Sequence, residues 1–283
     1  MTIMPNTTPP REYVLGTGAD ELARLSFQHR LWADAAHAAW RDAGIAPGKR
    51  SLDIGCGPGY ASFDLAALVT PSGSVVGVDE SATYIQWFNE QAASRSLAHL
   101  RGVVGDVHAL GEIDAVREGG PYDLAYTRWV LCFVKDPAGV VREAASLLAP
   151  GGRLVIHDYF NYRAMTTAPR RSSMSKAVDA TIRSWEARGG DTDIMGKVPA
   201  FCANAGLTIE SIRVHQRLGR AGDAMFHWLK TWWHIYTPKL VAMGLLTEHD
   251  QVELFADLET IERSPSEFVV CPPVFEIIAK REN

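Results

Sequence analysis

The feature of this chain that most constrains its fold is a regular alternation of short apolar segments and helical segments between about residues 50 and 160. Each apolar segment is continuous, and glycine- or proline-containing turns lie between the segments. This pattern is typical of parallel strands in a sheet that helices cover on both faces. We expect strands at residues 50–54, 74–79, 100–105, 122–127 and 153–157, with helices at about 60–69, 82–94 and 138–148.

Outside this region the pattern is less regular. Apolar residues at helical spacing predict a helix over residues 20–40. After residue 158 we expect helices over 163–188, up to 204, over 221–236 with its end at Pro238, and over 247–261. Strands are expected at 207–215 and, as a pair or an interrupted strand, at 268–280. The chain then divides into an N-terminal lid helix region (1–45), an α/β core (46–160) and a C-terminal half of the sheet with helical insertions (161–283).

The first predicted strand runs directly into a glycine loop, from Gly55 to Gly59 with the sequence GCGPG. Glycines at this point allow a sharp turn and a close approach of a ligand to the backbone. Nicotinamide sites favour the spacing GxGxxG, in which two other residues separate the second glycine from the third. Here the spacing is GxGxG and Tyr60 follows, so the pattern of a dinucleotide site is broken.

Acidic residues follow the next two predicted strands. Asp79 ends the second strand, 20 residues after Gly59, where a carboxylate can accept hydrogen bonds from ribose hydroxyls. Asp106 follows the third strand, where it can accept a hydrogen bond from an adenine amino group. The structural alternatives are a helix cap for Asp79 and a turn residue for Asp106. Three such features at consecutive strand ends favour a nucleoside site.

The ordered motifs LDIGCGPGYAS, VVGVDES, GDVHAL, YDLAYTRWVL and LLAPGGRLVI resemble those of class I S-adenosylmethionine-dependent methyltransferases. Within them the chain is similar to the small-molecule branch related to ubiquinone and menaquinone methyltransferases. The resemblance is strong over residues 48–160 and looser over the N-terminal YVLG segment. It implies a Rossmann-like seven-stranded sheet whose last strand is antiparallel, and S-adenosylmethionine as the cofactor.

The resemblance also implies roles for individual residues. The glycine loop would hold the methionine part, Asp79 the ribose, and Asp106 with Val107 the adenine. Gln28, on the buried stripe of the first helix, is a further ligand candidate, and Tyr13 matches a lid position. The expected cofactor-binding residues are Tyr13, Gln28, Gly55, Gly57, Gly59, Asp79, Glu80, Asp106, Val107, Thr127 and Arg128.

The end of the fourth strand, Tyr126-Thr127-Arg128-Trp129, has none of the motifs that mark other acceptors. Enzymes of exocyclic DNA nitrogens or protein glutamine resemble one another in an Asn/Asp-Pro-Pro-Tyr motif there, and cytosine-C5 enzymes in a Pro-Cys pair. Metal-dependent catechol enzymes would show a carboxylate, so no metal is expected. The net charge of −5 also argues against a nucleic-acid partner. A small-molecule acceptor is therefore predicted.

The acceptor pocket is expected between the sheet and the helical insertions. In the segment 221–236 the stripe of Met225, Trp228, Trp232 and Ile235 suggests core, whereas another face presents polar residues to a pocket. An aromatic-lined cavity suits an aromatic or isoprenoid-like acceptor. A hydroxyl or carbon acceptor also loses a proton, for which histidine is suited near neutral pH. The candidate bases are His157, His227 and His234.

Bulk properties set the remaining expectations. The four cysteines are far apart and no secretory signal or apolar membrane span is recognisable, which predicts a cytoplasmic protein without a membrane partner. A homodimer is a further possibility. Two other functions stay open: an enzyme of the same fold that binds S-adenosylmethionine for a non-methylating reaction such as a cyclisation, and a non-catalytic binding protein.

Overall fold

The computed structural model of the chain describes residues 18–282. Tyr13 and the rest of the YVLG segment lie outside them, so the predicted lid contact of Tyr13 stays a prediction. The described part contains the following helices and strands in chain order: α1 Ala19–Asp42, β1 Arg50–Ile54, α2 Tyr60–Val69, β2 Ser74–Asp79, α3 Ala82–Ser94, β3 Leu100–Val104, α4 Asp114–Gly119, β4 Tyr122–Arg128, α5 Pro137–Leu147, β5 Leu148–Tyr159, β6 Thr166–Ala168, α6 Ser172–Glu186, α7 Val198–Asn204, β7 Leu207–His215, β8 Leu218–Arg220, α8 Ala224–Ala242, α9 Glu248–Arg263, β9 Phe268–Val270 and β10 Val274–Arg281.

The main sheet has seven strands in the order β3-β2-β1-β4-β5-β10-β7. Strands β1 to β5 pair in parallel, and β10 is antiparallel to both of its neighbours. This confirms the predicted Rossmann-like α/β fold with a last antiparallel strand. The expected interrupted strand at 268–280 is two strands in different sheets, since β9 joins β6 and β8 in a separate three-stranded sheet.

Two hydrophobic clusters cover the two faces of the main sheet. On one face α1, α2 and α3 pack against inward-facing side chains such as Val75, Leu124 and Val155. On the other face α5 and α7 pack against Leu52, Val76 and their neighbours, and this cluster continues under α6, α8 and α9. Because both faces are covered, the central strands β1, β2 and β4 are buried along nearly their whole length, as the sequence predicts.

Two helix predictions were wrong in the C-terminal half. The expected helix over 163–188 is a short 3-10 turn, strand β6 and then α6, which begins at Ser172. Helix α8 does not end at Pro238 but continues to Ala242. Proline removes one backbone donor, but Pro238 is exposed, so water can hydrate the freed carbonyl oxygen. The preceding Thr237 hydroxyl donates to the Trp233 carbonyl oxygen at 2.5 Å within the same turn.

Among residues 18–282 no helix is both long and apolar enough to cross a bilayer.

Candidate active site

A cavity of about 860 Å³ opens at the carboxyl ends of the parallel strands. The glycine loop after β1 and the residues after β2, β3 and β4 line one part, and α1, α6 and α8 line the rest. Ligand sites of open α/β sheets lie at this edge. The predicted cofactor residues that line the cavity are Gln28, Gly55, Gly57, Asp79, Glu80, Asp106, Val107 and Arg128.

The glycine loop bends between β1 and α2 with its glycines in left-handed conformations. Gly59 is the N-cap of α2 with φ of 84°, and a Cβ there would lie 2.6 Å from the Phe88 ring. Gly57 has φ of 55°, but a Cβ there would have no atom within 4 Å. Gly59 therefore shapes the loop by packing, whereas Gly57 leaves open space in the cavity lining that a side chain would fill.

Asp79 connects the end of β2 with this loop. Its Oδ2 accepts a hydrogen bond from the Gly57 N–H at 2.8 Å, and its Oδ1 accepts one from the Ser81 N–H at 2.9 Å. Burial raises the pKa of Asp79, while these two hydrogen bonds oppose the rise. Each carboxylate oxygen keeps a second lone pair that can accept a ligand hydroxyl.

Asp106 is the N-cap of a 3-10 helix over Val107–Glu112. Its Oδ1 accepts hydrogen bonds from the His108 backbone N–H at 2.9 Å and lies 2.7 Å from His108 Nδ1. The turn role considered as an alternative for Asp106 is thus present, yet the side chain also lines the cavity. A capping carboxylate has lone pairs to spare, so the two roles are compatible.

A second buried carboxylate, Asp53, lies at the end of β1 and was not singled out from the sequence. Burial raises the pKa of Asp53 to about 6, although its Oδ2 accepts a hydrogen bond from the Ser62 hydroxyl at 2.5 Å. It also lines the cavity. A positive charge bound nearby would favour its ionised form.

Arg128 extends from the end of β4 into the cavity and is held from behind. Its Nη2 donates to His29 Nδ1 at 2.9 Å, and His29 Nε2 lies 3.0 Å from the Asp64 carboxylate. Burial lowers the pKa of His29, which suits a neutral ring that accepts from Arg128 and donates to Asp64. Within residues 18–282 the Arg128 Nη1 is buried without a hydrogen-bond partner. Arg128 thus presents a fixed donor to a ligand carboxylate.

Gln28 joins α1 to α8 across the cavity. Its Oε1 accepts a hydrogen bond from the Trp228 indole N–H at 3.1 Å and another from Arg24 Nη1 at 2.9 Å. Arg24 in turn forms a buried bidentate ion pair with Glu21. Gln28, the polar residue on the buried stripe of α1, therefore lies in the cavity lining. Its hydrogen bond with Trp228 fixes α8 over the cavity.

Trp129 turns the chain away from the sheet immediately after β4. Its φ of 55° is unusual for a residue with a bulky side chain. The ring stacks on Tyr159 with centroids 6.0 Å apart and on Trp228 with centroids 6.4 Å apart. This strained residue begins the aromatic part of the cavity lining, which continues through Tyr162, Trp185, Trp232 and Tyr236.

The structure places the predicted base His157 outside the cavity lining. Its ring is 2% exposed on the sheet face under α1, where Nε2 lies 3.2 Å from Glu276. His215 Nε2 and Arg213 Nη1 lie 2.9 and 3.2 Å from the same carboxylate. Burial lowers the pKa of His157. The side chains of His157, His215 and Glu276 are close enough to one another to hold a metal ion. The Arg213 guanidinium, however, already supplies positive charge beside Glu276. We interpret the cluster as a structural charge network.

His227 and His234 also lie outside the cavity lining, because they are on the exposed face of α8. His234 Nδ1 lies 2.8 Å from the Lys230 carbonyl oxygen, and its ring stacks on Phe255. The expected pocket role of this face was therefore wrong, because His227 and His234 point to solvent. The apolar stripe is core as expected, since Met225 and Trp228 are buried in the main hydrophobic cluster and Trp232 packs against it; Trp228 and Trp232 also line the cavity.

Two further predicted residues lie behind the lining. Gly59 acts through the loop, as described above. Thr127 is 2% exposed in β4, and its hydroxyl has no hydrogen-bond partner within residues 18–282. The lining residues that the sequence did not single out include Arg24, His29, Asp53, His108 and Arg188. Arg24 and His29 have only helical spacing as a signal, and Asp53 lies two residues before the glycine loop.

Comparison with known proteins decides the family. Residues 45–217, more than half of the chain, match the family described as a methyltransferase domain. The chain belongs to this family. The prediction of an S-adenosylmethionine-dependent methyltransferase of Rossmann-like fold is thereby confirmed at the level of family and cofactor class.

Individual relatives cover less of the sequence. The ubiquinone biosynthesis O-methyltransferase of Burkholderia vietnamiensis is 40% identical over 107 residues, which are 37% of this chain and 42% of that protein. The chain spans 30% to 42% of the length of the first three curated relatives it matches. The domain is established by the family match over residues 45–217, while its acceptor is a matter for proposal.

Solved structures share the fold over most of the chain. Geranyl diphosphate C-methyltransferase from Streptomyces coelicolor A3(2) superimposes with a TM-score of 0.54 at 17% identity, over 92% of this chain and 83% of that one. The cyclase SpnF superimposes with a TM-score of 0.51 at 15% identity, over 84% and 76%. Because the fold includes a cyclase, it does not by itself define the reaction.

The lining residues fit the cofactor of the family. The space in front of Gly57 admits a chain without a steric clash, and the partnerless Arg128 Nη1 is a donor for a carboxylate. The carboxylates of Asp53 and Asp79 suit a positively charged sulfur and ribose hydroxyls.

Proposed function

We propose that this protein transfers a methyl group from S-adenosylmethionine to a small, largely apolar acceptor of aromatic or isoprenoid type. The observation that supports this best is the continuity of the cavity. One space of about 860 Å³ reaches from the carboxylates and glycines of the strand ends to the aromatic residues of α6 and α8. Pockets for drug-sized ligands are typically about 300–1,000 Å³, so the space suits a cofactor next to a small second ligand.

The cofactor half is assigned to residues of the strand ends. We infer that the loop around Gly57 and the Arg128 guanidinium bind the methionine part, Asp79 and Glu80 the ribose, and Asp106 with Val107 the adenine. Gln28 closes this half from α1, and the roles of Gly55, Gly59 and Thr127 are to shape the loop and the end of β4. All of these assignments rest on position and hydrogen-bonding capacity.

The acceptor half is assigned to the aromatic part of the lining. Trp129, Trp228 and Trp232 offer broad apolar faces, and the buried indole N–H groups of Trp129 and Trp232 have no hydrogen-bond partner within residues 18–282. Aromatic lining with a few oriented donors suits a planar or prenyl-like ligand that carries one polar group.

When bound, S-adenosylmethionine supplies a methyl group on a positively charged sulfur. The chain contributes orientation: Trp129 and the α8 tryptophans place the acceptor against the donor, which Arg128 at the end of β4 and Asp79 at the end of β2 fix. Correct orientation of two reactants can contribute roughly 7–11 kcal/mol. The aromatic lining excludes water, which strengthens the electrostatic contacts of Asp53 and Asp79.

The proton of the acceptor is handled without the three predicted histidines. None of His157, His227 and His234 lines the cavity. Of the lining histidines, His29 is engaged on both ring nitrogens, and His108, whose Nδ1 lies 2.7 Å from Asp106, is in the part assigned to the adenine. We infer that orientation accounts for the rate, and that an acceptor hydroxyl ionises to water or is already ionised when it binds.

A label-transfer experiment tests the proposal. The protein is incubated with methyl-labelled S-adenosylmethionine and a panel of aromatic and prenylated alcohols, phenols and acids, with Gly57→Val as the inactive control. We expect label in an organic product and formation of S-adenosylhomocysteine in equal amount. Conversion of an acceptor without label would identify a non-methylating reaction such as a cyclisation, and cofactor binding without any turnover would identify a binding protein.

A further inference from the structure

The Arg128 guanidinium is oriented by a single hydrogen bond to a group that can change its charge. Arg128 Nη2 lies 2.9 Å from His29 Nδ1, and the guanidinium carbon lies 5.0 Å from the centroid of the Trp129 ring. Within residues 18–282 this guanidinium has no carboxylate partner and no other hydrogen-bond partner. The position of this cation therefore depends on the state of the His29 ring.

The surroundings of His29 select the tautomer that accepts from Arg128. His29 Nε2 lies 3.0 Å from Asp64 Oδ2, and because an ionised carboxylate can only accept, Nε2 carries the proton. In the neutral ring Nδ1 then has a lone pair, which faces the Arg128 N–H. Since a guanidinium can only donate, the hydrogen bond between Arg128 and His29 exists only while the ring is neutral.

The titratable and charged groups that face His29 come from three elements. From α2, Asp64 contacts Nε2 and the Tyr60 ring lies with its centroid 6.3 Å away; from β4, Arg128 contacts Nδ1. From α1 itself, His37 Nε2 lies 2.6 Å from the same oxygen of Asp64. Burial and the charge of Arg128 lower the pKa of His29, while Asp64 raises it, and the lowering prevails. The ring is therefore neutral at pH 7.

Protonation of His29 removes the only hydrogen-bond acceptor of the guanidinium. It puts an N–H on Nδ1, so that two donors on two positively charged groups face each other across 2.9 Å. His29 stays in place because its contact with Asp64 becomes an ion pair. Arg128 is consequently the group that moves.

We propose that His29 is a positioning residue for the cofactor: the neutral ring holds the Arg128 guanidinium against the carboxylate of the methionine part, and protonation of the ring releases it. The affinity for S-adenosylmethionine and S-adenosylhomocysteine therefore falls in mildly acidic solution. This inference rests on the proposed function, because it takes Arg128 as the partner of that carboxylate.

The test uses two ligands that differ in the carboxylate-bearing part. The full-length protein is titrated calorimetrically with S-adenosylhomocysteine and with 5′-methylthioadenosine, which lacks the amino-acid part, between about pH 8 and pH 5, where histidine changes its charge. Protonation of the lining carboxylates affects both ligands, so the difference between the two ligands reports on Arg128.

Two variants separate positioning from packing. His29→Leu removes the acceptor, whereas His29→Asn offers an amide oxygen in place of Nδ1 that does not titrate. The matched control is His99→Asn, because His99 is a partly buried histidine whose Nε2 lies 3.1 Å from the Ala66 carbonyl oxygen, outside the cavity lining. Thermal melting verifies that each variant is folded at each pH.

We expect the unmodified protein and His99→Asn to bind S-adenosylhomocysteine about tenfold more weakly at pH 5 than at pH 8, as the loss of one hydrogen bond to a charged group implies, with a smaller change for 5′-methylthioadenosine. His29→Leu should bind S-adenosylhomocysteine about tenfold more weakly already at pH 8 and bind 5′-methylthioadenosine as before. His29→Asn should keep most of the affinity at pH 8 and lose the additional acid sensitivity of S-adenosylhomocysteine.

The same pH dependence for both ligands, or an undiminished acid sensitivity in folded His29→Asn, overturns the proposal. If His29→Leu does not fold, the pH profile of His29→Asn decides. The proposed function fails separately, since it is refuted if the unmodified protein binds neither ligand at any pH. Binding of both ligands with equal pH profiles refutes only the role of His29.

Discussion

Replacement of Asp79 by asparagine is the sharpest perturbation of the proposed cofactor half. The change keeps the size of the side chain but removes its charge and replaces one acceptor oxygen by a donor. In the structure both oxygens accept backbone N–H groups, from Gly57 at 2.8 Å and from Ser81 at 2.9 Å. The asparagine amide can serve only one of these donors, so the glycine loop or the turn after β2 loses its anchor.

The magnitude follows from the kind of hydrogen bond that is lost. Bonds to charged groups are worth about 1.5–3 kcal/mol each, and 1.4 kcal/mol corresponds to a tenfold change in affinity. Loss of one such bond to the loop or to the ribose should therefore weaken cofactor binding by roughly 10- to 150-fold. Asp79→Ala, which removes both acceptors, should weaken binding at least as much.

Calorimetric titration with S-adenosylhomocysteine measures this effect. The matched control is Asp123→Asn, because Asp123 also accepts a backbone N–H, from Arg50 at 2.9 Å, but lies outside the cavity lining. Asp123→Asn should change thermal stability and leave the affinity as it is. An unchanged affinity in a folded Asp79→Asn protein would refute the assignment of Asp79 to the cofactor.

Three further predictions concern single positions. Gly57→Val should abolish measurable cofactor binding, because it adds a branched side chain at φ of 55° where the cavity is open; a folded variant that still binds would contradict the role of the loop. His157→Asn should lower the melting temperature and leave turnover per folded molecule nearly unchanged, whereas a loss of about 10²-fold or more in turnover would restore it as a base. Burial alone would raise the pKa of Glu276, but hydrogen bonds from His157 and His215 lower this pKa to about 2. Because the pKa of Glu276 is lower in the folded than in the unfolded state, its ionised form stabilises the fold above about pH 4.5, and this stabilisation is lost as the pH falls towards 2. Glu276→Gln should therefore destabilise the protein by about 3 kcal/mol at pH 7 and by little near pH 2. A difference in stability that does not change with pH would count against the charge network.

The sequence predicted the sheet and the edge at which the cavity lies because both depend on local patterns. Continuous apolar strands indicate a sheet that is covered on both faces. Glycines and acidic residues that follow these strands indicate a ligand site at the carboxyl edge of the sheet. Gly57, Asp79 and Asp106 therefore line the cavity where they were expected. The same reasoning identified Gln28, since a polar residue on a buried helical stripe needs a partner, here the Trp228 indole N–H.

The acceptor half could not be predicted in the same way because it depends on how distant segments pack. The apolar stripe of α8 has the same spacing whether it only packs in the core or also encloses a cavity, so the cavity lining by Trp228 and Trp232 could not be predicted. His157 ends a strand as expected, but its side chain points to the face under α1, where it meets Glu276 from a strand far along the chain.

The central claim is that the cavity at the strand ends binds S-adenosylmethionine and the acceptor side by side. A crystal structure of the protein with S-adenosylhomocysteine tests it most directly. We expect the ligand with its ribose hydroxyls on Asp79, its adenine beside Asp106 and Val107, and its sulfur directed towards the tryptophans around Trp129. Density for the ligand at another place, or an empty cavity in crystals grown at saturating ligand, would contradict the account.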